Sequence, residues 1–179
     1  VSQRISGYAR QGDDVYQTPE WATQLAVSYL RQQSCRHVWD CANGPDSKMS
    51  QTLRGEGFQV TATNNDFLAI CSVPHNDIDG IATNPPYGRN GRLARQFIEH
   101  AHELVPVVAM LLRVDFDSGK TRTNLFRDCP AFAGKIVLLD RIEWFTRRKG
   151  APGPSENHAW YVWNRRHRGP PTIGYARQP

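Results

Sequence analysis

Ile78-Asp79-Gly80-Ile81-Ala82-Thr83, followed by Asn84-Pro85-Pro86-Tyr87, decides how this chain reads. The first six residues are a short apolar run between turn residues, the pattern of a buried strand. The two prolines after it end the pairing and force an extended exit, because neither has an N–H to donate to a ladder. Asn84 at that strand end offers a side-chain amide oxygen, and the carbonyls of Asn84 and Pro85 add two backbone acceptors. Such a cluster suits an incoming NH2 group, with the Tyr87 ring close by to stack on a flat substrate.

Outward from this stretch, apolar strands alternate with helical patterns. A helix is expected from Thr18-Pro19, with Thr18 as N-cap and Pro19 in the first turn. Trp21, Ala22, Leu25, Ala26, Tyr29 and Leu30 recur on it at helical spacing. Residues 37–42 read as a strand, 47–55 as a helix with Met49 and Leu53 inward, and 58–63 as a second strand. Beyond Tyr87, residues 92–105 form a helical pattern with Leu93, Phe97, Ile98, Ala101 and Leu104 on one face, stopped by Pro106. Residues 107–112 show no alternation, as expected of a central parallel strand covered on both faces. A short helix over 121–128, a strand over 135–140, a Gly/Pro loop over 148–155 and a strand over 158–163 complete the chain. The order predicts an α/β fold: a doubly wound, mostly parallel, Rossmann-like sheet with a C-terminal antiparallel hairpin. Residues 1–15 read as a flexible polar arm, 16–168 as the domain and 169–179 as a C-terminal tail.

At 179 residues the chain has the length of one domain. It shows no apolar run of membrane-spanning length and no signal-peptide pattern, so a soluble cytoplasmic protein with no membrane partner is expected. Cys35, Cys41, Cys71 and Cys129 have no C-x-x-C spacing and no histidine in ligand register. They read as reduced, mostly buried thiols, not as a disulfide framework or a metal site. Charge is uneven: residues 1–140 hold 14 Lys and Arg against 15 Asp and Glu, whereas residues 141–179 hold 8 against 2. A basic end on a neutral body points to a polyanion-facing surface or, equally, to a solvated segment.

In open parallel sheets, ligands bind beyond the carboxyl ends of the strands. Asp40 closes the first expected strand, Gly44-Pro45 leads into the next helix, Asn64 closes the second strand with Asp66-Phe67 after it, and Asn84 closes the third. Taken in order, these residues resemble class I S-adenosylmethionine-dependent DNA adenine methyltransferases, in particular the small phage-type enzymes with an NPPY motif. The resemblance runs from about Tyr16 to Trp163. Tyr16-Gln17-Thr18-Pro19 resembles their opening Y-x-T-P motif, which implies that Tyr16 and Thr18 contact the methionine end of the cofactor. Asp40-Cys41-Ala42-Asn43-Gly44 resembles the cofactor loop, with Asp40, Ala42 and Gly44 as its contacts, and Asp66-Phe67-Leu68 resembles the motif that holds the adenine.

Two positions depart from that pattern. Asp46 stands where a second glycine is usual, and its carboxylate would repel the cofactor's own. Asn64 stands where an acid takes both ribose hydroxyls, which loses a charge-assisted pair. Weaker cofactor binding is therefore expected.

The resemblance implies methyl transfer to the exocyclic amino group of adenine in DNA, with Asn84 and Pro85 accepting the amino hydrogens and Tyr87 stacking on the base. Such a base must be flipped out or single-stranded. Trp144 and Phe145 precede Arg147, Arg148 and Lys149, an aromatic pair beside phosphate-binding charge. With no room for a recognition domain, the chain reads little sequence, dimerises or borrows recognition from a partner. Cytosine amino groups, RNA adenine, a protein glutamine, and a nucleic-acid-binding relative without catalysis remain open.

Overall fold

The computed structural model describes residues 16–145 and 153–179. The expected arm and Arg147, Arg148 and Lys149 lie outside the described residues.

The chain builds one seven-stranded sheet with helices on both faces. Its elements are α1 (Glu20–Gln32), β1 (His37–Asp40), α2 (Lys48–Gly55), β2 (Gln59–Ala62), β3 (Gly80–Thr83), α3 (Arg92–Leu104), β4 (Val107–Arg113), β5 (Phe132–Leu138), β6 (His158–Asn164) and β7 (Thr172–Ala176). The strand order is β2-β1-β3-β4-β6-β5-β7. β2, β1, β3 and β4 are parallel neighbours, and β6 runs antiparallel between β4 and β5. This is the Rossmann-like methyltransferase fold, with the antiparallel hairpin at the C-terminal side of the sheet.

The two faces explain the unbroken apolar run of β4. Val108, Met110 and Leu112 pack with α3 residues Ala94, Phe97, Ile98 and Ala101 and with Tyr161 and Trp163. Val107, Ala109 and Leu111 pack on the other face with Ala22, Ala26, Val27 and Leu30 of α1 and with Met49 and Leu53 of α2. A strand between two such layers has no side that tolerates a polar residue. Trp160 and Trp163 are buried, and their indoles donate to the carbonyls of Ala22 and Leu125, each at 2.7 Å.

Three local expectations change. α1 starts one residue later than read: Pro19, in extended conformation, is the N-cap, and its carbonyl accepts from Ala22 and Thr23 at 3.1 and 3.2 Å. Thr18 makes no capping bond. Residues 120–125 form a 3-10 turn instead of a helix, because Thr121, Thr123 and Asn124 are weak helix formers. The segment after Arg168 contains β7, which pairs in parallel with β5 from Gly134↔Thr172 to Leu138↔Ala176. Cys35 and Cys41 are buried free thiols, whereas Cys71 is exposed. Among the described residues, no helix is long and apolar enough to cross a membrane.

Candidate active site

Because β1 to β4 are parallel, their carboxyl ends share one edge of the sheet. β6 starts at that edge, with His158 opposite Arg113, and β5 finishes there. Asp40, Thr83 and Arg113 are therefore brought together with the segment after Leu138.

Asn84 leaves the edge half-buried, and its amide has no hydrogen-bond partner among the described residues; Pro85 beneath it is buried. Tyr87 is held at both ends. Its hydroxyl donates to the Leu111 carbonyl at 3.2 Å, and its own carbonyl accepts from Leu93 and Ala94 in the first turn of α3. Burial, reinforced by Glu156, raises the phenol above its ordinary range, so it stays protonated. Gly88 makes the turn back into α3 with φ 63°; a Cβ there would lie 2.8 Å from the Leu93 Cβ. The sequence N-P-P-Y-G thus fixes an extended exit, a clamped ring and a helix start in five residues.

Asp40 is fully buried and accepts four hydrogen bonds: from Thr83 and Asn43 at 2.7 Å each, and from Ser47 and Ser50 at 3.0 Å each. Burial raises its carboxyl above the usual range despite these donors. Asn43 also donates to the Thr83 hydroxyl at 3.0 Å. One carboxylate therefore ties the loop after β1 to the last residue of β3, the residue before Asn84. Ser47, as N-cap of α2, accepts from the Ser50 N–H.

The other expected contacts divide. Gln17 accepts from the Lys48 N–H at 2.9 Å, which draws the Tyr16–Thr18 segment to the start of α2. Thr18 is 2 % exposed, and its hydroxyl has no partner among the described residues. Gly44 has φ +78°, and a Cβ there would meet only the Asn64 side chain, at 3.6 Å. Ala42 is half-buried, while Asn64, Asp66 and Asp46 are exposed. Asp66 also caps the 3-10 turn at 67–69 through the Leu68 N–H. Phe67 is 1 % exposed, with its ring against Trp39, Phe97 and His100. It lies in the core and not at the open edge.

Trp144 and Phe145 are brought to Tyr16, with ring centroids 5.6 and 5.2 Å away, and Trp144 also meets His158 edge-on at 5.2 Å. Sequence reasoning missed two residues here. Arg113 pairs with Asp115 at 3.1 Å and Glu156 at 3.4 Å. His158 is buried, its Nδ1 has no partner among the described residues, and burial beside Arg113 lowers it to about 4. The signal for Arg113 and His158 was positional: each is the polar residue at one end of an apolar strand.

The resident groups fit S-adenosylmethionine in two respects. An orphaned buried hydroxyl at Thr18 lies on the segment tied to α2, and Gly44 leaves open a space that a side chain would narrow. Asp40 is saturated by internal donors, so it acts by positioning Asn43 and Thr83. Among the described residues, no group of three or more His, Cys, Asp or Glu is arranged to hold a metal.

No family model matches this chain, and no curated protein matches it. Solved structures do. A Pyrococcus horikoshii protein described as a candidate RNA methyltransferase superposes with a TM-score of 0.57 at 15 % identity, over 83 % of this chain and 86 % of its own. A Thermoplasma acidophilum protein aligns with a TM-score of 0.45 at 16 % identity, over 81 % of this chain and 89 % of its own. At this identity the likeness to the first extends to the fold.

Proposed function

We propose that this chain transfers a methyl group from S-adenosylmethionine to the exocyclic amino group of adenine in a nucleic-acid strand, with DNA as the first assignment. The observation that carries the proposal is Asn84. Its amide, without a hydrogen-bond partner among the described residues, stands at the carboxyl end of a central parallel strand, directly before a buried Pro85 and three residues before a clamped Tyr87. The bound cofactor would supply a methyl group already activated on sulfur, so the chain mainly has to align donor and acceptor.

Asn84 Oδ1 and the Pro85 carbonyl accept the two amino hydrogens, which leaves the nitrogen lone pair facing the methyl carbon. Methylation would cost the amino nitrogen one proton, which Asn84 Oδ1, the Pro85 carbonyl or water would receive. Tyr87 presents its ring to the base while its hydroxyl stays fixed on β4. Tyr16, Thr18, Gly44, Asn64 and Asp66 would hold the cofactor along the neighbouring strand ends. Arg113, at the end of β4 and paired with Asp115 and Glu156, would offer its charge to a phosphate at the same edge.

RNA adenine is the second reading, favoured by the description of the Pyrococcus horikoshii neighbour. Calorimetric titration with S-adenosylmethionine and with its demethylated product tests the cofactor half. Binding near one per chain, weakened by Thr18→Val, is expected. No saturable binding at millimolar cofactor would refute the enzyme reading.

A further inference from the structure

β7 is an edge strand with an unusual surface. Ile173 and Tyr175 are 64 % and 69 % exposed. Being two residues apart, they share one face, alongside their register partners Lys135 and Val137 on β5. Lys135 lies over the Tyr161 ring, 5.0 Å from its centroid, so this is the face that α3 covers further along the sheet.

Arginines stand at both ends of the strand. Arg165, Arg166 and Arg168 occupy the turn that leads into it, and Arg177 follows it directly. All four are exposed, and none forms an ion pair among the described residues. No Asp or Glu occurs in the sequence after Glu156.

The topology gives this surface a direction. β6 is antiparallel, so Arg165–Arg168 sit at the edge remote from Asn84, with the Arg165 N–H on the Pro106 carbonyl at 2.9 Å. β7 then runs toward the candidate active edge for roughly 16 Å and ends where the Leu139 N–H meets the Ala176 carbonyl. Beside its start the surface dips into a concavity of about 740 Å³ whose lining includes Phe126, Phe132 and Pro171. Cations at both ends of an exposed aromatic match the alternation of phosphate and base face along one strand.

We propose that the β7 surface binds single-stranded nucleic acid, with Arg165, Arg166, Arg168 and Arg177 on phosphates and Tyr175 stacked on an unpaired base, as a track leading to the Asn84 edge. The proposal rests on the nucleic-acid reading above for the polymer, but not for the chemistry. Charge selects this occupant over a second copy, because pairing β7 with itself in either direction would bring arginines of the two copies together. An exposed ring selects unpaired bases over duplex, whose faces are already stacked.

Fluorescence anisotropy with labelled unstructured DNA and RNA 20-mers, and with a duplex, tests it. Tyr175→Thr, which keeps strand propensity, should weaken single-strand binding about 5- to 100-fold, the range of one lost stacking contact. Tyr175→Phe should bind as the wild type does. Replacing Arg165, Arg166 and Arg168 with Gln should lower the salt-dependence slope by about 2, and unchanged melting temperatures would show that the variants fold. Wild-type affinity in Tyr175→Thr with an unaltered slope in the arginine variant would overturn the proposal. So would absence of single-strand binding, or a dimer that Tyr175→Thr dissociates. Methyl transfer read in parallel separates the two claims: transfer with β7-independent binding refutes the track alone, and β7-dependent binding without transfer refutes the activity alone.

Discussion

Replacing Asp40 with alanine removes the acceptor that joins the loop after β1 to the end of β3. Of its four donors, two have somewhere else to turn: Asn43 still reaches the Thr83 hydroxyl at 3.0 Å, and Ser50 has the Gly44 carbonyl at 3.5 Å. The hydroxyls of Thr83 and Ser47 have no second acceptor among the described residues and are buried at 0 % and 3 % exposure. At about 1–3 kcal/mol for each stranded buried donor, less the relieved cost of burying the carboxyl, the net loss is about 2–5 kcal/mol. For a domain of this length that lowers the melting temperature by about 5–20 °C. Thermal melts followed by circular dichroism measure it. Asp40→Asn, which keeps an acceptor and the shape, should lose less than half as much.

The same pair tests the protonation state. The raised Asp40 carboxyl makes the native state hold a proton more tightly than the unfolded chain, whose value is near 3.8. This group's contribution is therefore complete below that value and declines as pH rises through the raised native value. Asp40→Asn should flatten that decline. An Asp40→Ala protein that melts within 2 °C of wild type and binds cofactor equally well would refute the positioning role.

Gly44→Ala places a side chain at φ +78° but only in ordinary contact with Asn64; strain of about 1–2 kcal/mol should lower the melting temperature by about 2–8 °C, and cofactor affinity measured by calorimetry should fall with it. His158, lowered to about 4 from 6.5, binds fewer protons folded than unfolded, so stability should fall as pH drops across that window by up to about 3 kcal/mol; an imidazole that titrates above pH 6 by NMR contradicts this. Tyr87→Phe loses the 3.2 Å bond to Leu111 and about 1 kcal/mol but keeps the ring, so turnover should stay within about threefold; a loss of a hundredfold would put the hydroxyl in the chemistry.

The elements most legible in the sequence were those whose patterns had a single physical reading. The run over residues 107–112 could only be a strand covered twice, and the prolines at 85 and 86 could only end one. The motif order located the carboxyl edge, because strand direction in a doubly wound sheet follows from alternation with helices. What stayed hidden depended on three-dimensional partners. That Asp40 faces four donors, that Thr18 caps nothing, and that Phe67 turns inward against Trp39 are consequences of packing across the sheet. β7 was hidden because Gly, Pro and Arg around Thr172–Ala176 imitate a tail, and an edge strand needs only one neighbour.

The central claim concerns Asn84, and labelled methyl transfer tests it most directly. Purified wild type and Asn84→Ala are incubated with methyl-labelled S-adenosylmethionine and single-stranded DNA or RNA, and the digested product is separated by chromatography. Label at N6-methyladenine, reduced about 100- to 1000-fold in Asn84→Ala with cofactor binding nearly unchanged, is the predicted result. Transfer that survives the substitution, or that appears on another base or position, would contradict the account.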